Sequence, residues 1–133
     1  MEEIGLDSIR AIGEKYRNGQ LRDRLKRYHG RNVDKTFWGW NHVWLDPAFR
    51  SWNIEEYLPQ IRIPILVIQG AADQYGTILQ VNRIQEECQA PVRTVLLEGC
   101  GHSPHVDQPK LTLDAICRFL REEVGDNTKS PVL

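Results

Sequence analysis

The stretch IPILVIQGAADQYGT, residues 63–77, contains the pattern that decides the fold. Between Pro64 and Gly70 the chain is almost continuously aliphatic, which is typical of a strand buried on both faces of a parallel sheet. The stretch VRTVLLE, residues 92–98, predicts a second strand of the same kind. Two such strands with a helical pattern between them predict an α/β fold.

An amphipathic pattern follows each predicted strand. Thr77 is suited to cap a helix that ends before Pro91, and Pro109 is suited to begin a last helix that extends to about residue 124. Residues 63–124 therefore predict a βαβα unit, with two parallel strands and a right-handed connection between them.

The first 58 residues have a different character, with short amphipathic helices and many aromatic rings. Trp40 and Trp44 share one face of a predicted helix, and Asp34 is suited to cap its start. All four tryptophans fall between residues 38 and 52. Two interpretations stay open: these rings pack small helices together, or some of them line an apolar substrate cavity.

The overall composition argues against several classes of protein. The 133 residues have a formal net charge of -1, so electrostatics do not point to nucleic acid or to an anionic membrane. The longest apolar run, residues 63–68, is far shorter than the ~20 residues that a membrane span needs. The three cysteines lack Cys-x-x-Cys spacing, which argues against a disulfide framework and a zinc site. We therefore expect a cytoplasmic protein.

Two polar side chains lie just past the ends of the two predicted strands. Asp73 follows the first strand and His102 follows the second. Adjacent parallel strands are about 4.8 Å apart, and ligands of open α/β sheets bind at the carboxyl ends of the strands. An Asp that holds one imidazole nitrogen leaves the other free to take a proton from a nucleophile. Asp73 and His102 are therefore predicted to form an acid–base pair.

The other histidines have weaker cases for a functional role. His105 lies nearer the start of the last helix, where we expect it to order the loop or to face solvent. His29 and His42 belong to the helical region. His42, together with Trp40 and Trp44, is kept as a candidate for contact with a small-molecule substrate.

Two pieces of this sequence resemble the C-terminal part of the α/β-hydrolase superfamily. They are the apolar strand ending in Gly-x-x-Asp, and the stretch Gly-x-Gly-His-x-x-x-x-Asp-x-Pro before a closing helix; together they cover about residues 54–121. The helical first half resembles, in position and character, the cap of many members. The resemblance implies that Asp73 is the triad acid and His102 the triad base, in an enzyme similar to enol-lactonases, carboxylesterases and C–C bond hydrolases.

The nucleophile elbow of that superfamily, Gly-x-Ser-x-Gly, does not occur in this sequence. None of the four serines has glycines on both sides; Cys100 does, but it shares its loop with His102. A sheet of only two strands also leaves both edges unpaired. We therefore expect the C-terminal portion of a longer hydrolase, with a helical cap at residues 1–58, part of the core at 59–124 and a flexible tail at 125–133.

Three hypotheses about function follow. The first is a serine-type hydrolase portion acting on a small ester, lactone or activated C–C bond, inactive by itself and completed by the N-terminal portion of the hydrolase. This hypothesis implies no metal and no organic cofactor. The second is a non-catalytic dimerisation or binding module, in which a second copy completes the sheet. The third is an unrelated α/β protein whose Asp73 and His102 are structural.

Overall fold

The structure is a computed structural model that describes residues 2–126. The chain divides into two units, which we call the helical unit, ending at Asn53, and the α/β unit, beginning at Ile54. No helix within the described part of the chain is long and apolar enough to cross a membrane.

The helical unit consists of three α-helices with short 3-10 turns after the second and third. Gly19 separates the first two helices; its φ of 93° is the left-handed conformation that glycine adopts without steric cost. The elements are α1 (Glu3–Arg17), α2 (Gln20–His29), the turn Gly30–Asn32, α3 (Val33–Leu45) and the turn Pro47–Phe49.

Aromatic stacking forms the centre of the helical unit. Tyr16 of α1 lies on Phe37 of α3, with ring centroids 3.7 Å apart and the planes 7° from parallel. Trp38 meets both rings edge-on, and Val33 completes the buried cluster. Offset and edge-on ring contacts add to the free energy gained by burying the rings, so this cluster joins α1 to α3.

The prediction that Asp34 caps α3 is wrong. The helix begins at Val33, and the Asp34 carboxylate instead accepts the Tyr16 hydroxyl at 2.8 Å and two bonds from Arg22 at 2.7 and 2.6 Å. A guanidinium is a stronger partner for a carboxylate than a terminal backbone N–H. Burial raises the pKa of Tyr16, and Asp34 raises it further, so the phenol stays neutral and donates to Asp34.

The α/β unit contains the predicted strand–helix–strand–helix order, with one short helix that was not predicted. Its two strands pair in parallel, in a register that runs from Ile65 opposite Val92 to Gly70 opposite Leu97. The elements are the 3-10 helix Glu55–Gln60, β1 (Ile65–Gly70), α4 (Ile78–Glu87), β2 (Val92–Leu97), α5 (Pro104–Asp107) and α6 (Pro109–Asp126).

The strands are less buried than the sequence predicts. Gly70 and Leu97, the last residues of β1 and β2, are buried, whereas the preceding residues of β1 are half-buried and Leu96 is 45% exposed. Within residues 2–126 the sheet has two strands, so each strand has a neighbour along one edge alone. The prediction of strands buried on both faces is therefore wrong for this part of the chain.

The two long helices of the α/β unit both contact the sheet. Arg93 of β2 pairs with Glu122 of α6 and lies over the Phe119 ring, so partly exposed side chains connect α6 to the sheet. Thr77 caps α4 by accepting the Leu79 N–H, as predicted. The tail was predicted for residues 125–133, but α6 continues to Asp126. Residues 127–133 lie outside the described part of the chain.

Candidate functional site

The loop after β1 presents the Asp73 carboxylate. The Asp73 N–H donates to Gly70 O at 3.2 Å, and Asp73 Oδ1 accepts the Tyr75 N–H at 2.8 Å. The Gln69 side chain donates to Gly76 O at 2.7 Å, which closes the loop on the strand. The Asp73 side chain is 12% exposed, so its position is determined by these backbone bonds rather than by solvent.

The loop after β2 lies directly on the loop after β1. Ala71 and Ala72 donate their N–H groups to Leu97 O and Cys100 O, each at 2.9 Å. Gly70 has no space for a side chain, because a Cβ there would lie less than 3.0 Å from Gly101 O and Cys100 O. The close approach of these two loops therefore requires glycine at position 70.

These contacts bring His102 to Asp73. The His102 Nδ1 is 3.0 Å from Asp73 Oδ2 and 3.1 Å from Oδ1. Because an ionised carboxylate only accepts hydrogen bonds, Nδ1 carries the proton, and Nε2 is the nitrogen left for proton transfer. The His102 side chain is 56% exposed, so a reacting group can reach it.

Tyr75 is a component of this site that the sequence analysis did not single out. Its ring meets the His102 ring edge-on, with centroids 4.7 Å apart. Its position in the sequence could have pointed to it. Tyr75 comes two residues after Asp73, and the Asp73 carboxylate accepts its backbone N–H. Tyr75 therefore contacts both members of the pair, through its backbone and through its ring.

Asp73 and His102 thus occupy the strand ends at which the sequence analysis placed them, within hydrogen-bonding distance. Their assignment as a catalytic acid and base stays a prediction. His105, which was the weaker candidate, is exposed on α5.

The cysteines are all free thiols, and Cys100 is fully buried next to the pair. Burial raises the pKa of the Cys100 thiol, and the nearby carboxylates of Asp107 and Asp73 raise it further. A thiol with a raised pKa contains little thiolate at neutral pH, which argues against Cys100 as a nucleophile. The cytoplasmic location expected from the cysteines stays a prediction.

The three residues proposed to contact substrate lie in the helical unit and differ in their surroundings. Trp40 lines an open apolar cavity of about 260 Å³ between the helices, together with His29, which the sequence analysis gave little weight. His42 stacks on Trp38 with centroids 5.2 Å apart, and Trp44 meets the rings of Phe49 and Trp52 edge-on. His42 and Trp44 therefore pack against other aromatic rings, whereas Trp40 lines the cavity.

No group of three or more His, Cys, Asp or Glu side chains within residues 2–126 is arranged to hold a metal ion.

Comparison with known proteins points to hydrolases. The chain is 30% identical over 100 residues to Epoxide hydrolase A of Mycobacterium tuberculosis, a match that covers 74% of this chain and 31% of that protein. A solved structure described as a membrane phospholipase A, a novel bacterial virulence factor, superposes with a TM-score of 0.56 at 27% identity, again over 74% of this chain and 31% of the other. No protein-family model matches the chain.

These similarities support a relationship to α/β-hydrolase-like proteins. They extend over most of this chain but over less than a third of each relative. The two-stranded parallel sheet, with helices following both strands, is compatible with part of an α/β fold.

Proposed function

We propose that Asp73 and His102 are the acid and the base of a hydrolase, and that the chain provides them to a nucleophile on a polypeptide segment outside this sequence. The observation that carries the proposal is the 3.0 Å contact between His102 Nδ1 and Asp73 Oδ2 at the carboxyl ends of two parallel strands. The similarity to two hydrolases supports it.

In the proposed mechanism, Asp73 sets the tautomer and orientation of the His102 ring. With Nδ1–H donated to the carboxylate, Nε2 takes the proton of the attacking group as a covalent bond to the substrate forms. The adjacent carboxylate stabilises the resulting imidazolium, which then returns the proton to the leaving group. Nε2 then takes a proton from a water molecule that attacks the acyl-enzyme, and the imidazolium returns this proton to the oxygen of the nucleophile. With an epoxide, the attacking group would be a carboxylate, and the same activation of water by Nε2 would hydrolyse the resulting alkyl ester.

The substrate class is proposed as a small ester, lactone, activated C–C bond or epoxide. The ester, lactone and C–C bond are the substrates that the sequence resemblance implies. The epoxide is included because the relative from Mycobacterium tuberculosis is an epoxide hydrolase. We propose that the helical unit is the cap and that Trp40, which lines an apolar cavity within that unit, is the strongest of its candidates for contact with substrate. His42 and Trp44 are weaker candidates because they are not among the residues that line this cavity.

The proposed nucleophile segment also completes the sheet. Neither outer edge of the β1–β2 pair has a strand partner within residues 2–126, and Leu96 is 45% exposed. Unpaired edges and exposed aliphatic side chains are the features that an added strand would cover. The same edges favour a second candidate function, a dimerisation module, in which another copy of this chain provides the missing strands.

A chimaera tests the proposed reaction. The region of Epoxide hydrolase A that is similar to this chain is replaced by the chain, and the purified protein is assayed with styrene oxide and p-nitrophenyl acetate. We expect turnover that falls about 10²- to 10⁴-fold in His102→Gln and in Asp73→Asn, because each change removes the oriented base.

His105→Gln is the matched control, since His105 is an exposed imidazole three residues away and outside the pair. A folded chimaera without turnover, or one whose turnover is unchanged by His102→Gln, would contradict the proposal. A chain that by itself forms a stable dimer and binds no nucleophile-bearing segment would favour the dimerisation module; sedimentation equilibrium measures this.

A further inference from the structure

A carboxylate outside the proposed pair holds the peptide from which His102 extends. Asp107, the last residue of α5, reaches back across the loop, and its Oδ2 accepts the Gly101 N–H at 2.9 Å. Gly101 is the residue directly before His102. A Cβ at Gly101 would lie 3.2 Å from the same Oδ2, so glycine also eases this approach.

The same peptide is held from the opposite side by the loop after β1. Cys100 O accepts the Ala72 N–H at 2.9 Å, and Gly70 lies against the backbone of residues 100 and 101. The backbone before His102 is therefore fixed by the loop that bears Asp73 and by the Asp107 carboxylate. Removal of the Asp107 carboxylate would take away one of these two supports.

Asp107 itself is carried on an anchored element. The Thr112 hydroxyl of α6 donates to Pro104 O at 2.9 Å, and Thr112 is buried. The Asp107 N–H donates to Ser103 O at 2.9 Å. The connection thus runs from α6 through α5 to Gly101; Asp107 is exposed, and its carboxylate is held at Gly101 by this hydrogen bond.

The exposed His102 side chain needs this support. More than half of the imidazole surface is accessible, so few neighbouring atoms restrict its two side-chain torsions. The contacts that do restrict it, to Asp73 and to the Tyr75 ring, persist only if the His102 Cα stays in place.

We propose that Asp107 is a positioning residue that keeps His102 Nδ1 on Asp73 through its bond to the Gly101 N–H. The part that Asp107 plays in catalysis rests on the proposed function. Its effect on the position of His102 does not rest on it. The competing explanation is that Asp107 merely stabilises α6, because a negative charge before a helix N-terminus is favourable.

Variants of the 133-residue chain distinguish these roles by NMR. In Asp107→Ala we expect the Gly101 amide to exchange with deuterium about 10- to 100-fold faster, as for loss of a hydrogen bond to a charged group. We also expect the nuclear Overhauser effects between the His102 and Tyr75 rings to fall by at least half. Asp107→Asn keeps an acceptor oxygen without the charge, and is expected to retain both signals.

Asp114→Ala is the matched control, because it removes an exposed carboxylate of α6 that pairs with Lys110. It should leave the Gly101 exchange and the ring contact unchanged. A folded Asp107→Ala with unaltered exchange and ring contact would overturn the proposal, as would loss of the ring contact in a folded Asp107→Asn.

If Asp107→Ala does not fold, the proposal is tested with the unaltered chain and with Asp107→Asn. The Gly101 amide should be protected at least tenfold relative to a freely exposed amide, and lack of protection would contradict the proposal. These measurements need no turnover, so an inactive chimaera would reject the proposed function and leave this inference standing.

Discussion

The helical unit and the α/β unit are ordered by different interactions. In the helical unit, Tyr16, Val33 and Phe37 are almost fully buried and stack into one cluster. In the α/β unit, most strand residues are half-buried, and close contacts lie at the strand ends, where N–H groups of the loop after β1 donate to Leu97 O and Cys100 O. The difference teaches that the Asp73–His102 pair is positioned by backbone contacts at the carboxyl ends of the strands and not by a deep apolar core.

The largest expected effect tests the aromatic cluster. Phe37→Ala removes a ring that stacks on Tyr16, and is expected to lower the free energy of unfolding of the helical unit by about 3–5 kcal/mol. Urea titration followed by tryptophan fluorescence measures this, since all four tryptophans lie in that unit. Tyr28→Ala is the control, because Tyr28 is 84% exposed and its loss should change stability by less than about 0.5 kcal/mol. Equal effects of the two changes would mean that the cluster does not hold the helices together.

The next effect tests the contact between the loops. Gly70→Ala places a Cβ against the backbone of residues 100 and 101, and is expected to destabilise the α/β unit by about 1–3 kcal/mol. It should also weaken the His102–Tyr75 ring contact in NMR spectra.

Gly39→Ala is the matched change in the helical unit, where a Cβ meets nothing within 4 Å inside α3. Because alanine is the better helix former, it should be neutral or stabilise by about 0.5–1 kcal/mol. A tolerated Gly70→Ala with the ring contact intact would show that the loops do not need this close approach.

The smallest effect concerns acid stability of the helical unit. Arg22 and the Tyr16 hydroxyl, in that order, lower the pKa of Asp34 to about 2. A lowered carboxyl pKa contributes stability that is present above the unfolded value near 4 and is lost as the pH falls towards 2. The melting temperature, followed by circular dichroism, should therefore fall between pH 5 and pH 2, and it should fall less in Asp34→Asn. Asp7→Asn, which removes an exposed carboxylate of α1, is the control and should leave the acid profile unchanged. An unchanged profile in Asp34→Asn would exclude the Asp34 network as the source of the pH dependence.

The strand pattern and the residues at the strand ends were accessible from the sequence. Aliphatic runs before Gly70 and before Glu98 predict strands, and the parallel arrangement follows from the helix between them. Once the strands are parallel, residues just beyond both carboxyl ends must lie near each other, which is why Asp73 and His102 were expected to be close. Periodicity and connection rules are local, so a single sequence is enough for them.

Other features could not be predicted from the sequence, because they depend on which of several hydrogen-bonding or packing partners a residue contacts in the folded chain. Asp34 has the sequence position of a helix cap, yet it binds Arg22 and Tyr16, which α1 and α2 bring to it. The bond from Gly101 to Asp107 depends on α5, a four-residue helix too short to leave a periodic pattern. The degree of strand burial depends on what covers the sheet, which the strand residues themselves do not encode.

By itself the sequence determined the βαβα order and the placement of a carboxylate and an imidazole at the ends of adjacent strands, because strand propensity and chain connection act over short distances. Only the tertiary structure decided which atoms meet. The 3.0 Å contact between Nδ1 of His102 and Asp73, the edge-on Tyr75 ring and the Asp107 bond to Gly101 arise from the packing of two loops around Gly70, where a single added methyl group would not fit.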